Sequence, residues 1–194
     1  MHAATIRSVP ASQRGKVVPT IVLAFAADPL VRWLWPDAGA YLSAMPELTV
    51  AFAGGAFDHG SAFCSEDHSA AALWLPPQVS PDSETLGALV QRTVAPDVLA
   101  EMAGVSEQMA AHHPDEPHWY LPLIGVDPAR QGRGQGAALM KHALRQFDAD
   151  GALAYLESTN PRNISLYERH GFEALGRIQV GSSPAIVPML RQPS

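Results

Sequence analysis

The 194-residue chain has little of what marks an exported, membrane-bound or nucleic-acid-binding protein. Cys64 is its one cysteine, which excludes an internal disulfide and any zinc site built from several thiolates. Its place in an alternating apolar stretch reads as a small buried hydrophobe rather than a nucleophile. No basic segment followed by an apolar core opens the sequence, and no apolar run approaches the length needed to span a bilayer. The expectation is a cytoplasmic protein with no membrane partner. Lys and Arg total 13 against 19 Asp and Glu, a formal charge of -6 with no basic run, so there is no electrostatic footprint for nucleic acid.

What is present is apolar: hydrophobic residues make up 47% of the chain and charged residues 16%. That balance suits one α/β domain over residues 1–194 with a sizeable core. Its centre is the stretch 118–140, which reads as a hydrophobic strand, an Asp127-Pro128 turn, a glycine-rich arc and the first turn of a helix. Gly132, Gly134 and Gly136 leave the backbone without side-chain cover, and the helix start behind them adds unpaired N–H donors and a positive dipole end. Arg130 and Arg133 stand beside the arc and can pair with phosphate oxygens. The chemistry is that of a phosphate or diphosphate cradle. A Walker loop is excluded, because Ala137-Ala138 follow Gly136 where a lysine and a hydroxyl residue are required, and the G-x-G-x-x-G dinucleotide spacing is absent too.

Around this centre the chain alternates strand and helix signals. A first strand is expected over 3–9, then a helix over 13–27 that starts or bends at Pro19. Asp28-Pro29 caps a short second helix carrying Leu30, Val31, Leu34 and Trp35. Trp33, Trp35 and Tyr41 flank the approach to a helix over 38–53, and they either wall a pocket or close the core. A hairpin is expected from strands 59–65 and 69–75, with Glu66-Asp67-His68 at its turn; Glu66 reads as a catalytic base or as an ordinary turn acid. Residues 78–113 form a helical insertion between neighbouring strands, with capping residues at Ser80 to Glu84 and a second start at Pro96-Asp97. The run His112 to His118 has the histidines of a metal cluster, but its prolines make it a linker and it lacks helical i, i+4 ligand spacing, so no metal is assigned. Asp115 and Glu116 stand where an amine can be approached at the sheet edge.

Pro122 interrupts the central strand and predicts a bulge or a parting from a neighbouring strand. The strand over 152–158 fits a parallel crossover after the amphipathic helix carrying Leu139, Met140, Ala143, Leu144 and Phe147. Asn160 follows at the strand exit, Asn163 is placed to cap a short helix, Tyr167 lies about one turn on, and Gly171-Phe172 lead into a last strand pair over 172–180 and 185–190.

The sequence Gln131-Gly132-Arg133-Gly134-Gln135-Gly136, together with Asn160, Asn163, Tyr167 and Gly171-Phe172, resembles the GNAT superfamily of acyl-CoA-dependent N-acyltransferases. The resemblance covers about 118–172 and implies an α/β fold with a mixed, partly splayed sheet flanked by helices. It implies acetyl-CoA as co-substrate, with Gln131, Gly132, Arg133, Gly134, Gln135, Gly136 and Ala137 at its diphosphate. Ile124, Gly125 and Val126 then lie along its pantetheine arm, with Asn160, Asn163 and Tyr167 close to it. It further implies direct attack by a primary amine on the thioester, a backbone N–H near Val126 for the oxyanion, Tyr167 as acid toward the departing thiolate, and Glu66 or a water as base, with Asp127 more remote. The acceptor is expected to be a small-molecule amine, with peptide or protein amines as alternatives, and the protein a monomer or homodimer. A CoA-sensing module without turnover and a nucleotide-binding enzyme of another fold are the competing classes.

Overall fold

A strand that is apolar on both faces needs cover on both faces, and β3 (Ala70–Leu75) is buried at every position. The computed structural model describes residues 5–194 and sets β3 inside a seven-stranded sheet. The other strands are β1 (Ile6–Ser8), β2 (Ala62–Ser65), β4 (His118–Val126), β5 (Leu153–Ser158), β6 (Glu173–Ala174) and β7 (Val187–Arg191), in the spatial order β1-β2-β3-β4-β5-β7-β6. Among the described residues only β4 and β5 run parallel, and the other pairs are antiparallel. The sheet is therefore mixed, as expected.

Both faces are covered by helices whose sequence pattern matches the task. On one face Ala71, Leu73 and Leu75 join Tyr120, Leu123 and Tyr155 beneath α1 (Arg14–Phe25) and α3 (Ala38–Ala53). On the other, Ala70, Ala72 and Trp74 join Leu121, Ala154 and Leu156 against α7 (Gln135–Ala149), which contributes Leu139, Met140, Ala143, Leu144 and Phe147. Between α1 and α3 lies α2 (Pro29–Leu34), and α4 (Gly55–Asp58) precedes β2. The expected insertion is α5 (Ser83–Thr93) and α6 (Pro96–His112), and α8 (Ile164–Glu168) follows β5.

The feature that positions the site is the break at Pro122. Leu73 pairs with Leu123, but Leu75 pairs with Tyr120, so β4 carries one extra residue at 121–122. Pro122 has no N–H to give a ladder, which is why the irregularity falls there. The β4–β5 ladder also stops here, its last pair being Tyr120 with Tyr155. Beyond that point β5 stays paired to β7 as far as Ser158, while the rest of β4 stays with β3. Bulge and parting coincide.

Several expectations need correcting. The first strand begins at Ile6, and its expected start at Ala3 lies outside the described residues. Pro19 sits inside α1, which starts at Arg14 behind a 3-10 turn (Ala11–Gln13), so it does not begin the helix. His59 is not on a strand: it ends α4, and Gly60 turns the chain with φ of 70° before β2. The last strand pair is shorter than expected, reduced to β6 against β7 and an isolated Ile178–Ile186 bridge. Trp35 and Tyr41 are buried and tied to Thr93 and to the Val22 carbonyl, and Trp33 bonds Ser182, so these aromatics close the core. Cys64 is fully buried, and burial pushes its thiol up, as suits an inert core residue.

One polar clamp holds the C-terminal strand. Buried Arg191 donates to both oxygens of Asp148 at 2.6 and 2.9 Å and to the His170 carbonyl at 2.7 Å, joining β7 to α7 and to the turn after α8. Arg191→Met is expected to lower unfolding free energy by about 2–4 kcal/mol in a urea titration, toward the lower end for a broken buried pair because Asp148 is partly exposed. The Arg191 hydrogen bonds hold the Asp148 carboxyl below its ordinary value of 3.8. That contribution is present above the ordinary value and lost as pH falls through the depressed one, so wild-type stability should drop more steeply below about pH 4 than that of the variant.

Candidate active site

The loop after β4 is built to leave amides free. The Asp127 side chain accepts from the Ala129 N–H at 2.8 Å and so fixes the turn that starts the loop. Asp127 thus serves the backbone rather than acting as a base. Gly132 and Gly134 adopt φ of 73° and 80°, the left-handed region where a side chain is costly, and an added Cβ at either would meet nothing within 4 Å. The inner side of the arc is open. Gly134 is the N-cap of α7 and supplies no side-chain cap, and the first bond of the helix is Ala138 N–H to the Gly134 carbonyl at 3.0 Å. The N–H groups of Gln135, Gly136 and Ala137 therefore have no intrahelical acceptor. Gln131 and Gln135 use their side chains to brace the loop, donating to the Val126 carbonyl at 3.2 Å and to the Ser69 hydroxyl at 2.7 Å. Arg130 and Arg133 are exposed beside it.

The strand leading into the loop has one unpaired edge. Asp127 N–H bonds the Ser69 carbonyl, and Gly125 lies opposite Ala71, so in the antiparallel alternation Gly125 spends its backbone groups on β3. Ile124 and Val126 point theirs the other way, toward the side that β5 has left. The expectation for Gly125 is corrected accordingly: its backbone is used by the ladder, and Ile124 and Val126 are the residues offering amides.

Where β4 and β5 separate, a cavity of about 410 Å³ opens. β4 lines it with 120–124, β5 with Leu156, Glu157 and the following Thr159, and α8 with Tyr167. Phe25, Leu30, Leu34, Leu48 and Phe52 form a second wall, and the insertion closes the far side with Leu86, Val90, Met102 and Met109. Tyr167 is 5% exposed, and burial, then the charge of Asp28, pushes its phenol well above the ordinary value. It stays protonated through the neutral range.

Two carboxylates reach this cavity that the sequence reading did not assign to it. Asp28 caps α2, with one oxygen accepting from the N–H groups of Leu30 and Val31 and the other from the Thr159 hydroxyl at 2.7 Å. Burial raises its carboxyl against the pull of those bonds. Glu157 has a side chain only 4% exposed, and His113 Nδ1, at 3.7 Å, is the one basic side-chain atom within 4 Å of its carboxyl among the described residues. A signal was available: Glu157 interrupts an otherwise apolar strand, next to its exit.

Three of the expected site residues change role. Glu66 sits exposed at the β2–β3 turn, at the end where Ser69 meets the glycine arc, and does not line the cavity with Tyr167, so it is not placed to act as base. Asn163 makes no capping bond to α8; it is exposed and lines the cavity. Asn160 does the local capping, accepting from Arg162 N–H at 3.1 Å, and is not among the cavity residues. Among the described residues no three His, Cys, Asp or Glu side chains converge as a metal site.

The arc, the free β4 edge and the cavity fit the three parts of a CoA thioester: a diphosphate for the amides, an amide-bearing arm for the strand, and a reactive end near Tyr167. Gly134→Ala forces an L-residue into the left-handed region at a cost of about 1–2 kcal/mol. It is expected to weaken acetyl-CoA binding about tenfold by calorimetry, and unchanged affinity would remove the arc from the binding site.

Comparison with known proteins agrees with this geometry. Residues 47–172 match the family model described as the acetyltransferase (GNAT) family. A mycothiol acetyltransferase of Propionibacterium freudenreichii is 30% identical over 95 residues, which cover 47% of this chain and 30% of that protein. The chain thus aligns with about a third of the length of the curated relatives it matches first. A Corynebacterium glutamicum structure described as histone acetyltransferase HPA2 and related acetyltransferase superposes with TM-score 0.71 at 28% identity, over 100% of this chain and 98% of that one. Arylalkylamine N-acetyltransferase 2 of Aedes aegypti shares the fold, with TM-score 0.68 at 10% identity and full coverage of both chains. Sequence, fold and site geometry together make this chain a member of the GNAT acetyltransferase family.

Proposed function

We propose that the protein transfers the acetyl group of acetyl-CoA to a small primary amine with an apolar body, both reactants being held together in one complex. The observation that carries this reading is the cavity at the parting of β4 and β5, walled by Tyr167 and fed by the strand that runs on into the glycine arc. When bound, acetyl-CoA supplies an activated acyl group as a thioester. The chain supplies position and charge. Amides of 132–137 hold the diphosphate, and the outward amides of Ile124 and Val126 hold the pantetheine arm. Of these two, Ile124 lines the cavity and is the better placed for the developing oxyanion, in place of Val126 at the arc end of the strand. Asn163 and Tyr167 complete that wall.

Tyr167 enters the reaction with its proton, because burial holds the phenol up, and gives it to the departing thiolate. A CoA thiol has an ordinary pKa of roughly 8.5, so this proton assists departure without supplying the whole rate. Proximity of the two reactants in the apolar cavity supplies much of the remainder. The cavity also limits the acceptor. Its size suits a small molecule, and walls of Phe25, Leu34, Leu48, Phe52, Leu86 and Met102 reward an aliphatic or aromatic body rather than a sugar or a polycation.

The experiment is a CoA-release assay with phenylalkylamines, alkylamines, amino sugars and polyamines, run on the wild type and Tyr167→Phe. Apolar monoamines are expected to give the highest kcat/KM, and the variant to lose about 10²-fold in kcat with acetyl-CoA affinity kept. Full turnover by Tyr167→Phe would take the acid role away from that residue.

A further inference from the structure

The amine must lose a proton as the N–acyl bond forms, and the structure provides a path for it that ends in a second cavity. β5 sets Tyr155 and Glu157 two residues apart on the face toward the α6–β4 link. Glu157 Oε1 lies 3.7 Å from His113 Nδ1. His113 Nε2 lies 3.0 Å from His118 Nε2, and His118 Nδ1 lies 2.7 Å from the Glu116 carbonyl oxygen. Glu157 faces the first cavity, whereas both histidines line a second one of about 310 Å³ with Asp115 and Glu116; Tyr120 lines both. Exposure rises along the path, from 4% at the Glu157 side chain to 39% at His113.

The hydrogen bonds fix where the protons sit. A carbonyl only accepts, so His118 Nδ1 donates to Glu116. Burial, and to a lesser degree His113, keep His118 below its ordinary range and so neutral, which leaves a lone pair on its Nε2. His113 Nε2 must then be the donor across the 3.0 Å contact, and Nδ1 is the ring atom that faces Glu157. Glu157 Oε1 and His113 Nδ1 thus stand opposite each other at 3.7 Å.

We propose, building on the amine acetyltransfer reading, that Glu157 is the base that receives the amine proton and that His113 and His118 pass it to the second cavity. The amine N–H bond breaks as an O–H bond forms on Glu157. That bond then breaks in favour of an N–H bond on His113 Nδ1, after a side-chain adjustment of under about 1 Å that brings the two atoms to hydrogen-bond distance. The resulting imidazolium is shared with His118, and the pair returns to neutrality by losing one proton to water or buffer in the second cavity. Asp28 is the less suited carboxylate, since both its oxygens are already held by helix N–H groups and Thr159. The remaining titratable groups around Glu157 are Tyr120 on β4 and Tyr155 on β5. Burial, then the Glu157 charge, pushes both phenols far up, so neither competes for the proton.

Two measurements test the relay. In nitrogen-15 NMR of the free protein, His118 should be the Nδ1–H tautomer and His113 the Nε2–H tautomer; an Nε2–H on His118 would overturn the path. In kinetics, His113→Ala should lower kcat at least about tenfold with acetyl-CoA affinity unchanged by calorimetry, and added imidazole should restore turnover in proportion to its concentration. Glu157→Gln preserves shape and tests the first step separately; it should lose about 10²-fold or more in kcat and gain nothing from imidazole. Wild-type kcat in either variant, or a His113→Ala loss that imidazole leaves untouched, would contradict the relay. Absence of acetyl-CoA binding or of any amine acetylation in the wild type would instead remove the underlying reading.

Discussion

The structure depends on a strand edge left without a partner. Up to Tyr120, β4 is paired on both sides; past Pro122 it keeps β3 and loses β5. An unpaired edge inside a protein is costly unless something else takes its N–H and C=O groups, and here the groups concerned are those of Ile124 and the Val126 N–H, the Val126 carbonyl being met by Gln131. Nature more often covers such edges. In this fold the edge leads straight into an arc of free amides, so one continuous stretch of backbone can receive an extended, diphosphate-ended ligand. Side-chain chemistry is then needed only where the strands first part.

That division of labour explains the electrostatics of the cavity. Its walls are largely apolar, and burial raises the Asp28 carboxyl and the Tyr167 phenol that reach it. Asp28 is bound into the start of α2 and tied to Thr159, which joins the helical lobe to the strand exit beside Tyr167. Its charge helps to keep the Tyr167 proton in place. Glu157 lies among two phenols and an imidazole, and its charge helps hold both phenols up. Asp28 thus has a structural duty, and Glu157 is the carboxylate proposed to take part in the chemistry.

Much of this was legible in the residues. The glycine spacing, the Pro122 interruption and the Asp28-Pro29 cap each act over a few residues, so their physics is written locally, and the arc, the bulge and α2 follow from it. The helices 38–53 and 78–113 were equally plain from periodicity and capping. What local reading missed was set by distant packing. Glu66 looked reactive in an exposed turn, but the register of β2 and β3 carries that turn to the arc end of the sheet. Glu157 carried no local signature of a site beyond its charge in an apolar strand, and it becomes a cavity residue only because β5 leaves β4 just before it. The histidine run read as a linker, and a linker it is, yet the chain brings His113 and His118 within 3.0 Å and sets them over Glu157. Asn163 and Asn160 exchanged roles for a similar reason: a 3-10 turn (Pro161–Asn163) intervenes, so the cap falls three residues earlier.

The open edge of β4 and the arc behind it are the proposed seat of the acyl carrier. Amide hydrogen exchange with and without acetyl-CoA reads those groups individually. Ile124, Val126 and the amides of 134–137 should exchange readily in the free protein and slow together when acetyl-CoA is added, while Gly125, already bonded to β3, changes little. Protection that appears elsewhere, with Ile124 and Val126 exchanging as before, would contradict the claim.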